Sequence, residues 1–271
     1  MQINNIIFKI NNLFLYLYYL LFIRNNNTIK NQRENPLSIP IIIINYNQLY
    51  YLKKQVEFYI KRRFEKIIII DNASTFPPLL DYYKQIQNKV TIEYMDENKG
   101  HMVFFQNKTL QKKYGKGYYV ISDPDIIPNK NLPENFMSIL IKKLDLYFRA
   151  ANKIGFALNI DDIPDYYPLK ENVIKWESQF WKHQFEKNIY KADIDTTFAL
   201  YKPFYPSIFQ NLKFVSGFRI AGDFTAKHGG WYIDKDNMTE ENKYYFEHCN
   251  SSSSWKFTES GDLTNELKNI Y

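Results

Sequence analysis

Asp123-Pro124-Asp125 follows the apolar run Tyr118 to Ile121 and places two carboxylates at the end of what reads as a buried strand. Two hard oxygen ligands on such a turn can hold Mg2+ or Mn2+ against a diphosphate. Three other apolar runs also end in polar residues. Ile39 to Asn45 leads into Asn45-Tyr46-Asn47, and Ile67 to Ile70 into Asp71-Asn72-Ala73-Ser74. Val90 to Tyr94 leads into Asp96-Glu97-Asn98-Lys99-Gly100-His101. In open α/β sheets ligands bind beyond the carboxyl ends of the strands, so the chemistry is expected along these four ends. The chain has neither a Gly-x-Gly-x-x-Gly loop after the first run nor a Gly-x-x-x-x-Gly-Lys, so the dinucleotide and P-loop ways of gripping phosphate are not supported.

These ends must be held by alternating elements. Tyr50 to Arg63 carries Leu52, Val56, Tyr59 and Ile60 at helical spacing between the first two runs. Continuous apolar strands alternating with helices predict an α/β fold with a mostly parallel central sheet flanked by helices. Further along, Lys153 to Ile160 reads as a strand ending in Asp161-Asp162. Glu171 to Glu186 reads as a helix with Val173, Trp176, Glu177, Phe180 and Gln184 on one face. Glu177 among these aromatics either serves as a general base or satisfies a nearby donor. Asp195-Thr196-Thr197 opens another strand. The carboxylates Asp161, Asp162, Glu177 and Asp195 are the pool for a catalytic base. Trp176, Trp231 and Tyr232 either stack on a bound ring or belong to the core.

Hydrophobic residues make up 45% of the 271 and aromatics 18%, which excludes a disordered or collagen-like chain and leaves ample material for a core, in one large domain or two small ones. The net charge of +6 suits an anionic ligand or membrane surface and is modest for a nucleic-acid binder. Basic clusters such as Lys61-Arg62-Arg63 read as solvated helix faces, so no nucleic-acid partner is expected. Cys249 is the one cysteine, so no internal disulfide or cysteine-based zinc site can form. Leu13 to Ile23 is an unbroken apolar run, short for a spanning helix. It reads as membrane-spanning, membrane-surface or plain structural helix, followed by a polar linker from Asn25 to Pro36. If it spans, the basic residues after it hold the remainder in the cytosol. Asn72-Ala73-Ser74 would be a glycosylation site inside the expected pocket, which argues against a secretory route. The expected location is the cytoplasm or the cytosolic face of a membrane.

The order IPIIIINYN, IIIIDNAS, ENKG and YYVISDPDI resembles the GT-A-fold glycosyltransferases, in particular the family-2 nucleotide-sugar transferases. The similarity covers about Ser38 to Asn129 with motifs in order. It extends more loosely to about Tyr232 through IGFALNIDDIPD, KWESQFW, DIDTTFALY and AKHGGWY. The resemblance implies a nucleotide-sugar donor, with UDP favoured, and a glycan, lipid or protein acceptor. It implies that Asn45, Tyr46 and Asn47 line a base pocket, that Asp71 meets uracil or ribose, and that Asn98 and Gly100 close over the nucleoside. Asp123 would face ribose and metal, Asp125 would be the main ligand of Mn2+ or Mg2+, and His228 a further one. A second acidic residue is frequent in the family where this chain has Asn72. Read this way, residues 1–35 form an apolar helix and linker with a membrane contact, and 36–249 the GT-A domain. Its nucleotide half is 36–129 and its acceptor half 130–249, with 250–271 a tail.

Blander readings stand beside these. Asp123, Asp125 and Asp71 are common turn formers, and His228 beside two glycines suits an ordinary loop. A haloacid-dehalogenase-type phosphatase also uses Asp-x-Asp after a buried strand, but there the motif ends the first strand and here it ends the fourth. A membrane-attached scaffold that kept the fold without activity is the non-catalytic alternative.

Overall fold

The computed structural model describes residues 2–206, 212–250, 255–258 and 260–264. In chain order the helices are α1 (Gln2–Tyr18, continued by a π-helical turn Tyr19–Ile23), α2 (Asn27–Glu34), α3 (Tyr50–Lys61), α4 (Pro77–Ile86) and α5 (Val103–Gln106). They continue as α6 (Lys108–Tyr114), α7 (Phe136–Leu146), α8 (Lys170–Glu177) and α9 (Glu240–His248). The strands are β1 (Ile41–Asn45), β2 (Ile67–Asp71), β3 (Thr91–Tyr94), β4 (Tyr119–Ser122), β5 (Ile126–Pro128) and β6 (Lys153–Phe156). After these come β7 (Gln184–Glu186), β8 (Ile189–Asp193), β9 (Ala199–Tyr201), β10 (Ser216–Ile220) and β11 (Ala226–His228).

Among the described residues nine strands form one sheet in the order β3-β2-β1-β4-β9-β6-β10-β8-β7. The isoleucine runs of β1 and β2 are buried along their whole length, because helices cover both faces and β-branched side chains fit a pleated interior. β3, β2, β1 and β4 run parallel. β9 then enters antiparallel to both β4 and β6, while β6 and β10 are parallel and β8 and β7 antiparallel. The fold is therefore α/β with a mixed sheet. Register levels the strand ends: Asn45 pairs with Asp71, Asp71 with Tyr94, and Ile43 with Ser122. Because Ala199 of β9 faces Ile121 of β4, the preceding Thr196 and Thr197 arrive where β4 ends. β3 is an edge strand with Thr91 and Tyr94 exposed, so its run is less buried than its composition suggests.

Two segments differ from the sequence reading. Asn25 to Pro36 is not a linker. Asn26 caps α2 through the Thr28 N–H, and Ile29 and Gln32 of that helix are buried. Gln32 donates to the Tyr118 carbonyl at 2.9 Å and accepts from the Tyr118 N–H at 2.8 Å, so one polar side chain completes the backbone pairing at the head of β4. The expected helix over Glu171 to Glu186 stops at Glu177 and a 3-10 turn, Ser178–Trp181. Asn188, with φ of 60°, instead lets β7 and β8 form a hairpin, the kind of turn Asn favours. Among the described residues no helix is long and apolar enough to cross a membrane.

Lys202, directly after β9, is buried with its ammonium 4.5 Å from the Phe148 ring centroid. Burial lowers it to about 7. The folded chain therefore binds fewer protons than the unfolded chain above about pH 7, up to the ordinary lysine value near 10.4, and stability rises with pH across that window. Lys202→Met is expected to remove this rise, so its melting temperature should change less than that of wild type between about pH 7 and pH 9 in thermal denaturation.

Candidate active site

A cavity of about 410 Å3 opens at the ends of β1, β2 and β4, a volume in the range of small-molecule sites. Asp123, Pro124 and Asp125 form part of its wall. Their turn is pinned from beneath by Gln55, whose amide donates to the carbonyls of Asp123 (2.9 Å) and Ile126 (2.8 Å). Gln55 lies with Leu52, Val56 and Tyr59 on the buried face of α3. A polar residue inside an apolar stripe was the available signal for it, and the sequence reading passed over it.

The pairing of β5 with β11 brings the distant histidine to this turn. His228 registers with Ile126, and the Gly229 N–H donates to the Asp125 carbonyl at 2.7 Å. The Gly230 N–H donates to Asp125 Oδ2 at 2.8 Å, and His228 Nδ1 lies 3.1 Å from the same oxygen. His228 is stacked on Trp231 with ring centroids 4.8 Å apart, which fixes the imidazole plane. The close approach leaves no room at Gly229: a Cβ there would stand 2.4 Å from Tyr51 Cε2. Gly229→Ala is expected to cost about 1–3 kcal/mol as the β11 turn is pushed off Asp125. A urea midpoint equal to wild type would contradict this packing.

Charge in the site is unbalanced. Burial pushes Asp123 up to about 7, reinforced by the adjacent Asp125, with the His228 charge only partly offsetting it. Burial would raise Asp125 as well, but the charge and hydrogen bond of His228 and the Gly230 N–H hold it below the ordinary carboxylate value. Burial works against a charged His228, yet Asp125 raises it overall. Two carboxylates thus share one imidazole, an arrangement a cation would relieve. Among the described residues no three His, Cys, Asp or Glu side chains converge as a metal cage. Asp125 and His228, with Asp123 beside them, fit instead an ion that takes its remaining ligands from phosphate oxygens and water, as Mg2+ commonly does.

On the side of β1 and β2, Asn45, Tyr46, Asn72, Asn98, Gly100 and His101 line the cavity. Gly100, at φ of 70°, accepts from Asn72 Nδ2 through its carbonyl (3.1 Å), and its N–H donates to Asn98 Oδ1 (2.9 Å). Asn47 and Asp71 are not in the wall. Asn47 Oδ1 accepts from the Thr75 and Phe76 N–H groups. Asp71 accepts from the Ser74 N–H and from the Tyr83 hydroxyl, which in turn accepts from Asn45 Nδ2. Both therefore brace the turns that carry their neighbours. The opposite wall includes Tyr245, Phe246, Cys249 and Asn250, from α9 and the residues after it. α9 is tied down by Glu241, whose carboxylate accepts from the Leu49 and Tyr50 N–H groups at the start of α3, and by Tyr46, which donates to the His248 carbonyl.

Of the four candidate bases, Asp195 and Glu177 line the cavity, together with Asp193, which the sequence reading did not single out. Asp195 precedes β9, and its carbonyl accepts from the buried ammonium of Lys153 at 2.9 Å. Burial lowers Lys153 to about 7. Glu177 is bound to Arg219 at 2.6 Å, both side chains 5% exposed. Asp161 and Asp162 lie outside the wall, where Asp162 pairs with Lys227 and accepts from the Tyr232 hydroxyl. Tyr232 is accordingly outside as well. Trp176 lines the cavity, and Trp231 forms the floor under His228.

No protein-family model matches the chain, and no curated protein does. Among solved structures it is similar to a mannosyltransferase, PcManGT, from Pyrobaculum calidifontis in complex with GDP-Man and Mn2+. The TM-score is 0.43 and the identity 12%, over 83% of this chain and 67% of that one. It is also similar to a UDP-glucose pyrophosphorylase complexed with UDP-glucose. There the TM-score is 0.34 and the identity 12%, over 68% of this chain and 74% of that one.

Proposed function

We propose that the chain moves a sugar from a nucleoside-diphosphate donor, with UDP the favoured nucleotide, to a hydroxyl on a glycan, lipid or protein. The observation that carries this reading is the β5–β11 pairing, which seats His228 on Asp125 inside a cavity of nucleotide size. Residues 36–129 supply the nucleotide side, with Asn45, Tyr46, Asn72, Asn98 and Gly100 around the nucleoside. Residues 130–249 supply the acceptor side. Asp125 and His228, with Asp123, would hold Mn2+ or Mg2+; when bound, such an ion stabilises the charge that develops on a departing diphosphate. A nitrogen ligand from an imidazole favours Mn2+ over Mg2+.

Asp195 is the residue assigned to accept the acceptor's proton in an inverting transfer. It lines the cavity beside Thr196, which shares a hydrogen bond with Asp123, and its carboxylate is not committed to an arginine as that of Glu177 is. Trp176 and Phe180 offer apolar faces to the acceptor.

A thermal-shift screen of nucleotide sugars with and without Mn2+ tests the reading. A ligand at about a hundred times its Kd adds about 2.7 kcal/mol, so the matching donor should raise the melting temperature clearly, and only with metal present. Phosphate release from simple monoesters with no response to any nucleotide sugar would overturn it in favour of a phosphatase. The anomer formed, read by NMR, separates inversion from retention.

A further inference from the structure

The N-terminal helix has two unlike faces. One is seated on the domain: Tyr19 and Ile23 are buried, the Tyr19 ring stacks on Phe148 at 4.0 Å, and Asn12 donates to the Arg149 carbonyl at 2.7 Å. The other is bare. Ile6, Ile10, Leu13, Phe14, Leu17 and Leu21 recur at the spacing of a single helix face and stand between 44% and 66% exposed. A continuous stripe of large apolar side chains marks an interaction surface, since folded chains rarely leave one in water.

Charge indicates what covers it. Within residues 1–35 the charged side chains are Lys9, Arg24, Lys30 and Arg33 against Glu34 alone. Arg33 is paired with Asp145, while Lys9, Arg24 and Lys30 are exposed. No acid lies in α1 or in the turn that continues it. A second copy of the chain seated on this face by two-fold symmetry would bring these like charges together. An anionic lipid surface accepts both the apolar stripe and the cations, and among the described residues no helix is long and apolar enough to cross, Lys9, Asn11 and Asn12 interrupting this one. The 22 residues from Gln2 to Ile23 make a rod of about 33 Å.

We propose that α1 and its continuing turn lie in the plane of an anionic bilayer, the stripe sunk among the acyl chains and Lys9, Arg24 and Lys30 against the head groups. The anchor would be peripheral. It sits at the head of β4, where the Tyr19 and Tyr118 hydroxyls meet, whereas Asp123 follows the other end of that strand. The stripe contributes no residue to the cavity, so changes in it should leave the site intact.

The test is flotation of the full chain with vesicles of phosphatidylcholine alone and of phosphatidylcholine and phosphatidylglycerol in equal parts. Wild type should float with the mixed vesicles and be released by high salt. The triple variant Phe14→Ser, Leu17→Ser, Leu21→Ser should lose about a hundredfold in partitioning. Lys9→Glu with Arg24→Glu should lose the preference for anionic lipid. Circular dichroism and melting temperature, expected unchanged in both, exclude misfolding. Equal binding to neutral vesicles would overturn the proposal. So would absence of flotation with the mixed vesicles, and a dimer in sedimentation that the triple variant dissociates would then assign the stripe to a second copy.

Discussion

Asp125→Asn is expected to reduce sugar transfer by about a hundredfold to a thousandfold while leaving the chain folded. Asparagine keeps an oxygen for the Gly230 N–H, which now donates at 2.8 Å, so the turn after β11 retains its anchor. It loses the negative charge that holds His228 and that would hold a cation. Asp125→Ala goes further. It leaves the Gly230 N–H without its acceptor in a buried setting and adds about 1–3 kcal/mol of destabilisation to the same loss of activity. Comparing the two by activity and by urea midpoint separates the chemical role of the carboxylate from its structural one. An asparagine variant with wild-type turnover would mean that charge at Asp125 has no part in the reaction.

Arg219→Met is expected to be the most damaging single change to stability, by about 3–5 kcal/mol. Arg219 donates to Glu177 at 2.6 Å and to the Asp193 carbonyl at 2.9 Å, and its guanidinium lies 4.1 Å from the Phe180 ring centroid. Removing it strands the Glu177 carboxylate in a pocket where it is 5% exposed. The costly element is the unpaired charge, so Arg219→Met combined with Glu177→Leu should recover most of the loss. Denaturant midpoints of the two single variants and the double decide this. A double variant as unstable as the sum of its parts would place the cost in lost packing.

The ion pair also shows where sequence reasoning stops. Glu177 on an aromatic helix face can be read as a base or as a residue satisfying a donor, and its spacing does not choose. Its donor lies 42 residues away in β10, whose arginine inside an apolar strand was the overlooked clue. Strands β1, β2 and β4 were legible because fully buried isoleucine and valine runs have few alternatives. The Asp-Pro-Asp turn was legible because a buried strand ended in two acids. Asn47 and Asp71 look identical in sequence to residues that line a pocket; only their hydrogen bonds to the next turn reveal them as braces. Helix α2 was illegible because its burial rests on Ile29 and Gln32 alone, and a mostly polar helix resembles a linker. The proximity of His228 to Asp125 follows from a two-strand pairing across about a hundred residues, which the motif order suggested and periodicity could not.

The most direct test is calorimetric titration of UDP, and of UDP-sugars, into the full chain with and without Mn2+, for wild type and Asp125→Asn. The account predicts that Mn2+ tightens nucleotide binding to wild type by about tenfold or more, equivalent to about 1.4 kcal/mol, and leaves the variant unaffected. Equal affinity with and without the ion in wild type, or no binding of any nucleoside diphosphate, would contradict it.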